Sequence, residues 1–121
     1  MKNLLLVFVG GGFGSLARYG VSLITKVFFN TAFPLATLIS NITSCLILAL
    51  VVLITSQKQI ESNSLKLLLI AGFCGGFSTF STFSFETVEL FRNGNTGYAI
   101  ANIAISIILC VGLIHFISKA A

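Results

Sequence analysis

The sequence predicts an all-α membrane protein with four transmembrane helices in a single transmembrane domain, residues 1–121. Of these residues, 56% are hydrophobic and only 8% are charged, and the mean hydropathy is +1.06. A soluble domain of this length needs a polar surface that this composition does not provide. A transmembrane helix needs roughly 20 mostly apolar residues. Four stretches meet this requirement, at about residues 4–26, 33–55, 65–91 and 98–118.

The first helix combines closely spaced glycines with one arginine. Gly10 and Gly14 form a G-x-x-x-G pattern, which allows helices to approach closely. Arg18 either snorkels to the headgroups or places a permanent positive charge at the mouth of an anion path. A signal peptide with a cleavage-like tripeptide at 15–17 is an alternative. The glycines at 10–12 and the three further membrane-length stretches favour a retained helix.

The second helix begins near Pro34, the only proline, at a position where a missing N–H is tolerated. Its centre carries Asn41, and every polar group at that depth needs a partner. The amide either forms an interhelical hydrogen bond or donates to a dehydrated anion. Hydroxyl groups surround it, from Thr37, Ser40, Thr43 and Ser44.

The third helix contains the run GFCGGFSTFSTFSFE, residues 72–86. Its glycines lower helix propensity and permit unusual backbone angles, so we predict a break at the centre of this helix, at residues 72–78. A break at membrane depth is tolerated where the backbone is buried in protein or lines a site. Ion-handling proteins use the freed carbonyls of broken helices to bind cations.

Aromatic rings alternate with hydroxyl groups after this break. Phe80 and Phe83 are three residues apart and share a helix face. The edge of an aromatic ring is positive, so it can face an anion without a formal charge. Ser81, Thr82 and Ser84 add hydrogen-bond donors. This segment therefore predicts an anion-facing wall with a polar track.

Three further polar residues lie within the predicted spans. Glu86 is either a carboxylate near the membrane edge, a partner for Arg18 or the hydroxyl groups, or a proton-coupling group. Ser106 lies in the middle of the fourth helix, where it can join the polar track. His115 lies near the end of that helix and is predicted to be interfacial.

The charges are sparse and scattered, which excludes a nucleic-acid surface despite the net charge of +4.

With four spans both termini lie on one side, and the two sides differ little in Lys and Arg content. The positive-inside rule then gives only a weak orientation preference, as an antiparallel homodimer requires. Four helices also form too thin a bundle to enclose a pore, so we expect an oligomer. One side carries Lys2, Lys58, Lys66 and Lys119, and the other carries Lys26 and Arg92, with Arg18 buried nearby.

The three cysteines, Cys45, Cys74 and Cys110, each lie inside an apolar segment. An odd number without paired spacing predicts neither a disulfide framework nor a metal site, so we interpret them as small packing residues. No nucleophile–base pair is visible, because the one histidine is far along the sequence from Glu86. An enzyme is therefore not expected.

The motifs GGGFGSLARY, TLISN and GFCGGFSTFSTFSFE resemble the Fluc (CrcB-like) fluoride channels, and the resemblance covers nearly the whole chain. It implies an antiparallel, dual-topology homodimer in a prokaryotic plasma membrane, with a third helix broken at its centre. Two selective pores would let cytoplasmic fluoride leave passively. A structural sodium ion at the dimer interface would be held by the backbone carbonyls of Gly75 and Ser78. The implied pore residues are Arg18, Asn41, Phe80, Phe83, Ser81, Thr82, Ser84 and Glu86.

The chain departs from the family pattern at Ala36 and Ser44, which replace glycines, and at Ser78, which replaces threonine. These changes concern helix packing more than pore chemistry. Two alternatives stay open: a small dual-topology proton-coupled transporter, and one subunit of a heterodimeric fluoride channel. A multidrug-type antiporter needs an acidic residue in helix one, which has none. Because the arginine, the asparagine and both phenylalanines are present, we favour a homodimer.

Overall fold

The computed structural model describes residues 1–120, which contain four helical spans long and apolar enough to cross a membrane. The prediction of a multi-pass, all-helical membrane protein is confirmed at this level. Three spans are single helices: α1 (Lys2–Phe28), α2 (Leu35–Gln57) and α6 (Thr96–Ser118). The remaining span, Asn63–Arg92, consists of α3 (Asn63–Lys66), a π-helix (Leu67–Cys74), α4 (Gly75–Phe77) and α5 (Phe80–Arg92).

Two residues with extended backbone separate α4 from α5. Ser78 has φ −84° and ψ 159°, and Thr79 has φ −153° and ψ 120°. The sequence predicted a break over residues 72–78, whereas the helix continues through Phe77 and only Ser78 of that range is extended. Glycine lowers helix propensity without forbidding a helix. Thr79 instead starts the next helix, since its hydroxyl oxygen accepts a hydrogen bond from the Thr82 N–H at 3.2 Å.

Two glycines of the third span, Gly72 and Gly76, serve close packing against α1. A Cβ built on Gly14 would overlap the Phe73 carbonyl and lie 2.8 Å from the Phe77 nitrogen. A Cβ on Gly72 would lie 3.0 Å from the Gly10 Cα. Real side chains do not fit at these distances, so the two helices touch backbone to backbone. The predicted role of the G-x-x-x-G pattern in α1 is confirmed.

Small and polar side chains fill most of the interior, and most large apolar side chains face outward, with Leu38, Phe77 and Leu90 as buried exceptions. Phe8 is 78% exposed, Phe80 is 79% exposed and Phe116 is 72% exposed. This distribution suits a bundle in lipid, where apolar surface needs no burial and polar groups need partners inside. The buried polar residues are Thr37, Ser40, Ser44, Thr55, Thr87, Asn102 and Ser106.

Two of the connections end a helix with the same hydrogen-bond pattern. After α5, the Asn95 N–H donates to the Leu90 carbonyl at 2.8 Å, and Gly94 has φ +82°, which glycine adopts without strain. After α2, the Ile60 N–H donates to the Thr55 carbonyl at 2.9 Å. Both are Schellman motifs, but the left-handed position after α2 is occupied by a glutamine rather than a glycine.

Candidate functional site

The side chain of Asn41 holds the interruption of the third span. Its Oδ1 accepts a hydrogen bond from the Thr79 N–H at 2.7 Å, and its Nδ2 donates to the Thr79 carbonyl at 3.3 Å. The extended backbone at Thr79 has no hydrogen-bond partners within a helix. The Asn41 side chain therefore supplies a partner for the Thr79 N–H and another for the Thr79 carbonyl. One Nδ2 hydrogen is left for another acceptor. The predicted interhelical hydrogen bond is therefore present, and a donor remains beside it.

A cavity of about 270 Å³ collects five of the predicted site residues. We call it the central cavity, and define it by Asn41, Ser78, Phe80, Phe83 and Ser106. The rings of Phe80 and Phe83 lie 5.8 Å apart between centroids, with an interplanar angle of 39°. These five residues come from α2, α5, α6 and the interruption. The fold thus brings together residues that are up to 65 positions apart, from 41 to 106.

A second cavity of about 240 Å³ collects three more predicted residues. We call it the arginine cavity, and its lining includes Arg18, Thr37, Thr82 and Glu86. The Arg18 Nε donates to the Gly76 carbonyl at 3.3 Å, so the guanidinium is half-buried and bonded to the third span. Thr37 lies one helical turn before Asn41 on α2, so the two cavities follow the same helix.

Glu86 connects the arginine cavity with a wider opening. It also lines a cavity of about 460 Å³ that includes Lys26, Glu89 and Asn93, near the ends of α1 and α5. Its Oε1 is buried and has no hydrogen-bond partner within residues 1–120. The ion pair with Arg18 that the sequence allowed is not formed; the one salt bridge among the described residues joins Arg92 and Glu89 at 3.2 Å.

The remaining predicted residues lie outside both cavities. Ser81 is exposed, with its hydroxyl 3.4 Å from that of Thr79, and Ser84 is half-buried. Gly75 is exposed and lies in the last helical turn before the interruption. Within residues 1–120, no donor reaches the carbonyls of Gly75 or Ser78. The helix end therefore leaves two backbone oxygens free to accept hydrogen bonds or to bind a cation.

The carbonyl of Cys74, in contrast, already accepts hydrogen bonds from two side chains. It accepts hydrogen bonds from the Ser44 hydroxyl at 3.0 Å and from the Ser78 hydroxyl at 2.7 Å. The hydroxyl of Ser44 on α2 therefore bonds the backbone of the third span.

A family model described as "CrcB-like protein, Camphor Resistance (CrcB)" matches residues 5–117. The chain belongs to this family. A relative from Dehalococcoides mccartyi, named "Fluoride-specific ion channel FluC", is 38% identical over 109 residues, which cover 90% of this chain and 84% of the relative. A relative of the same name from Coxiella burnetii is 39% identical over 110 residues, or 90% and 89% of the two chains. One from Flavobacterium psychrophilum is 37% identical over 109 residues, or 90% and 88%.

Membership of the CrcB-like family confirms the resemblance seen in the sequence motifs. The relatives carry the name of an ion channel, so the expectation that the chain is not an enzyme is also confirmed.

Two polar residues of this CrcB-like chain were missed by the sequence reasoning. Thr79 caps α5, and the signal was a threonine, a residue type favoured at helix N-caps, directly before Phe80. Asn102 is fully buried in α6, where its Nδ2 donates to the Thr87 hydroxyl at 3.0 Å and its Oδ1 accepts from Ser106 at 3.4 Å. Its signal was an amide in the middle of an apolar span, the same signal that singled out Asn41.

Proposed function

We propose that this chain is the subunit of a fluoride channel, through which fluoride leaves a prokaryotic cell passively down its gradient. The observation that carries the proposal is the central cavity, where an amide and two aromatic rings meet at the interruption of the third span. The name shared by the relatives adds the identity of the ion. The cell location is likewise taken from the family.

The central cavity offers weak donors without a formal charge. Asn41 keeps one Nδ2 hydrogen free, and its orientation is fixed by Thr79. The ring edges of Phe80 and Phe83 carry the positive part of the aromatic quadrupole. The Ser106 hydroxyl donates its hydrogen to the Asn102 Oδ1, so it offers lone pairs to the cavity rather than a donor. A small anion can exchange water for these contacts and still leave again.

Arg18 supplies the attraction that brings anions to this path. Its Nε is bonded to the third span, and its side chain lines the arginine cavity. A guanidinium is charged at any physiological pH, so its field is constant. A fixed positive charge in a low-dielectric opening raises the local concentration of anions. The Thr82 hydroxyl lines the same cavity, whereas those of Ser81 and Ser84 lie outside both cavities of a single chain and would extend the polar track along α5 in the assembled channel.

We further propose that two copies associate in antiparallel orientation and enclose two pores, each lined by both copies. Phe80 is 79% exposed although it borders the central cavity, so a single chain leaves the cavity open on that side. The solvent-accessible surface of 7583 Å² also exceeds the roughly 6300 Å² of a soluble monomer of this mass. The nearly balanced charges at the two ends permit both insertions.

The same dimer would hold a structural sodium ion at its interface. The carbonyls of Gly75 and Ser78 receive no donors within residues 1–120, and Gly75 is exposed, so these groups fit a cation that prefers backbone oxygens. Two copies would contribute four such oxygens. The bound cation would neutralise the negative ends of two helices where they meet. Replacing Ser78 by threonine leaves this carbonyl in place, so we expect it to be tolerated.

Reconstituted liposomes test the proposal. Purified protein in fluoride-loaded liposomes should release fluoride rapidly and passively, with chloride strongly disfavoured. Phe80→Ile should abolish the flux without loss of the dimer, whereas Phe91→Ile, on the same helix but outside both cavities, should leave the flux unchanged. Flux from protein purified with this chain as its only subunit type would show that no second, different subunit is required. Chloride release at the rate of fluoride release would contradict the proposal.

A second candidate function is proton-coupled transport, which the buried and unpartnered Oε1 of Glu86 favours. Under this alternative, a pH gradient alone should drive fluoride uphill in liposomes, and Glu86→Gln should remove that coupling. Under the channel proposal, Glu86→Gln keeps passive flux, and a pH gradient does not concentrate fluoride. A fluoride-selective electrode in the liposome suspension measures both outcomes in one experiment.

A further inference from the structure

Two of the three cysteines line the central cavity. Cys45 lies one helical turn after Asn41 on α2, and Cys110 lies one turn after Ser106 on α6. Both thiols are free, and both are half-buried. They therefore continue the two helix faces that present the amide and the hydroxyl to the cavity. Packing alone does not require that two cysteines on different helices share one opening.

The two thiols border this cavity from two helices that pack against each other. Cys45 lies on α2 and Cys110 lies on α6, and both line the same opening. The third cysteine differs. Cys74 is buried, and its Sγ donates to the Ser44 carbonyl at 3.5 Å, outside the central cavity. The chain thus contains two thiols that share the central cavity, and one buried thiol outside it that serves as an internal reference.

We propose that Cys45 and Cys110 form a dithiol site in the central cavity that binds thiophilic metal and metalloid centres, and that its occupation closes the cavity to anions. Thiolates are soft ligands and select soft centres. Two of them at one centre bind far more tightly than one, because the second bond forms within the same molecule. Harder cations, which prefer oxygen, do not compete there.

Phenylarsine oxide is the probe that fits this chemistry. The two thiols form two As–S bonds, and the arsenic oxygen leaves with both thiol protons as one water molecule. Arsenic stays trivalent, so no oxidant or reductant takes part. The reagent is neutral and can reach a cavity lined by apolar groups such as Phe80, Phe83 and Val111.

The block follows from the size and place of the adduct. The cavity has a volume of about 270 Å³, and an arsenic centre with its phenyl ring would occupy much of it beside Asn41. Binding by the dithiol is independent of transport, whereas the block rests on the proposed channel function. The two parts are therefore measured separately.

Intact-mass spectrometry of the purified full chain measures the binding part. Wild type should gain one phenylarsine group, which survives a monothiol wash and is released by 2,3-dimercaptopropanol. Cys45→Ser and Cys110→Ser should each lose this dithiol-sensitive adduct, with Cys45→Ala and Cys110→Ala as substitutes for any variant that fails size-exclusion chromatography. Cys74→Ser should keep the adduct. Absence of the adduct in wild type, or its persistence in the Cys45→Ser/Cys110→Ser double variant, would overturn the site.

Fluoride efflux from liposomes measures the block. Phenylarsine oxide should reduce the wild-type efflux to the level of protein-free liposomes, and 2,3-dimercaptopropanol should restore it; the double variant should be resistant. An adduct that leaves efflux unchanged would overturn the block while the site stands. Untreated wild type without any efflux would instead contradict the proposed channel function, and the mass measurement would still decide the site.

Discussion

Replacing Asn102 by alanine perturbs the hydrogen-bond chain that joins α6 to α5 behind the central cavity. The Asn102 Nδ2 donates to the Thr87 Oγ1 at 3.0 Å, and the same hydroxyl donates to the Phe83 carbonyl at 2.7 Å. On the other side, the Asn102 Oδ1 accepts from Ser106 at 3.4 Å. Asn102 is 0% exposed, so water cannot replace any of these partners.

The expected loss has two parts. An interhelical hydrogen bond in a membrane protein contributes about 0.6 kcal/mol on average and about 1.7 kcal/mol at most. Truncation to alanine also leaves space beside the tightly packed helices, and Ser106 loses its acceptor. We therefore expect Asn102→Ala to lower the free energy of unfolding by about 1–2 kcal/mol, with the larger value favoured by complete burial.

A double-mutant cycle isolates the hydrogen bond from the loss of volume. Thr87→Val removes the acceptor while keeping the shape of the side chain, and the cycle with Asn102→Ala should give a coupling energy of about 0.6–1.7 kcal/mol. Reversible unfolding in mixed micelles of mild detergent and dodecyl sulfate measures each variant. The matched control is Thr55→Val, because the Thr55 hydroxyl bonds only carbonyls of its own helix.

The control cycle of Asn102→Ala with Thr55→Val should be additive within about 0.5 kcal/mol. A coupling energy for Asn102 and Thr87 no larger than this control would refute the reasoning, since the contact would then stabilise nothing beyond packing. A similar coupling with both threonines would point to a general loosening of the bundle. Under the proposed channel function, the fluoride efflux of each variant shows whether this chain of hydrogen bonds also positions Phe83.

Three further changes test the packing and the helix ends. Gly14→Ala should destabilise by about 1–3 kcal/mol, because its Cβ overlaps the backbone of the third span, whereas Gly12→Ala meets no atom within 4 Å and should be neutral or slightly stabilising in thermal unfolding. Ser44→Ala should lower stability by about 0.6 kcal/mol in the same assay, since it loses one interhelical hydrogen bond. Gln59→Gly should raise stability by up to about 1 kcal/mol, because Gln59 has φ +51°; a lower melting temperature would contradict a strained cap.

The four spans could be predicted from the sequence because length and apolar content decide them without tertiary information. The exact interruption could not. Glycine permits a break wherever it stands, but the helix continues through Gly72 and Gly76, where it needs small residues to touch α1. The break lies at Ser78 and Thr79, where a cap and a distant amide supply the missing partners. A propensity scale contains neither contact.

Residues of the central cavity could be singled out from the sequence one at a time, and only the family resemblance grouped them; their role in a pore stays a prediction. Asn41, Phe80 and Ser106 each stood out as polar or aromatic residues in an apolar context, and all three border one cavity. Asn102 had the same signal as Asn41 and was passed over. The two cysteines of the cavity carried no sequence signal, because only the packing of α2 against α6 brings them together.

Asn41 shows why its two interpretations from sequence were never exclusive. An amide has one acceptor group and two donor hydrogens, and Thr79 uses the acceptor and one hydrogen. The structural bond thus fixes the direction of the remaining hydrogen instead of consuming the group. An aspartate at this position would keep the bond from the Thr79 N–H, lose the donor, and place a negative charge in the central cavity. Asn41 thus bonds both backbone groups of Thr79 and keeps one donor free, and under the proposed channel function this donor faces the anion.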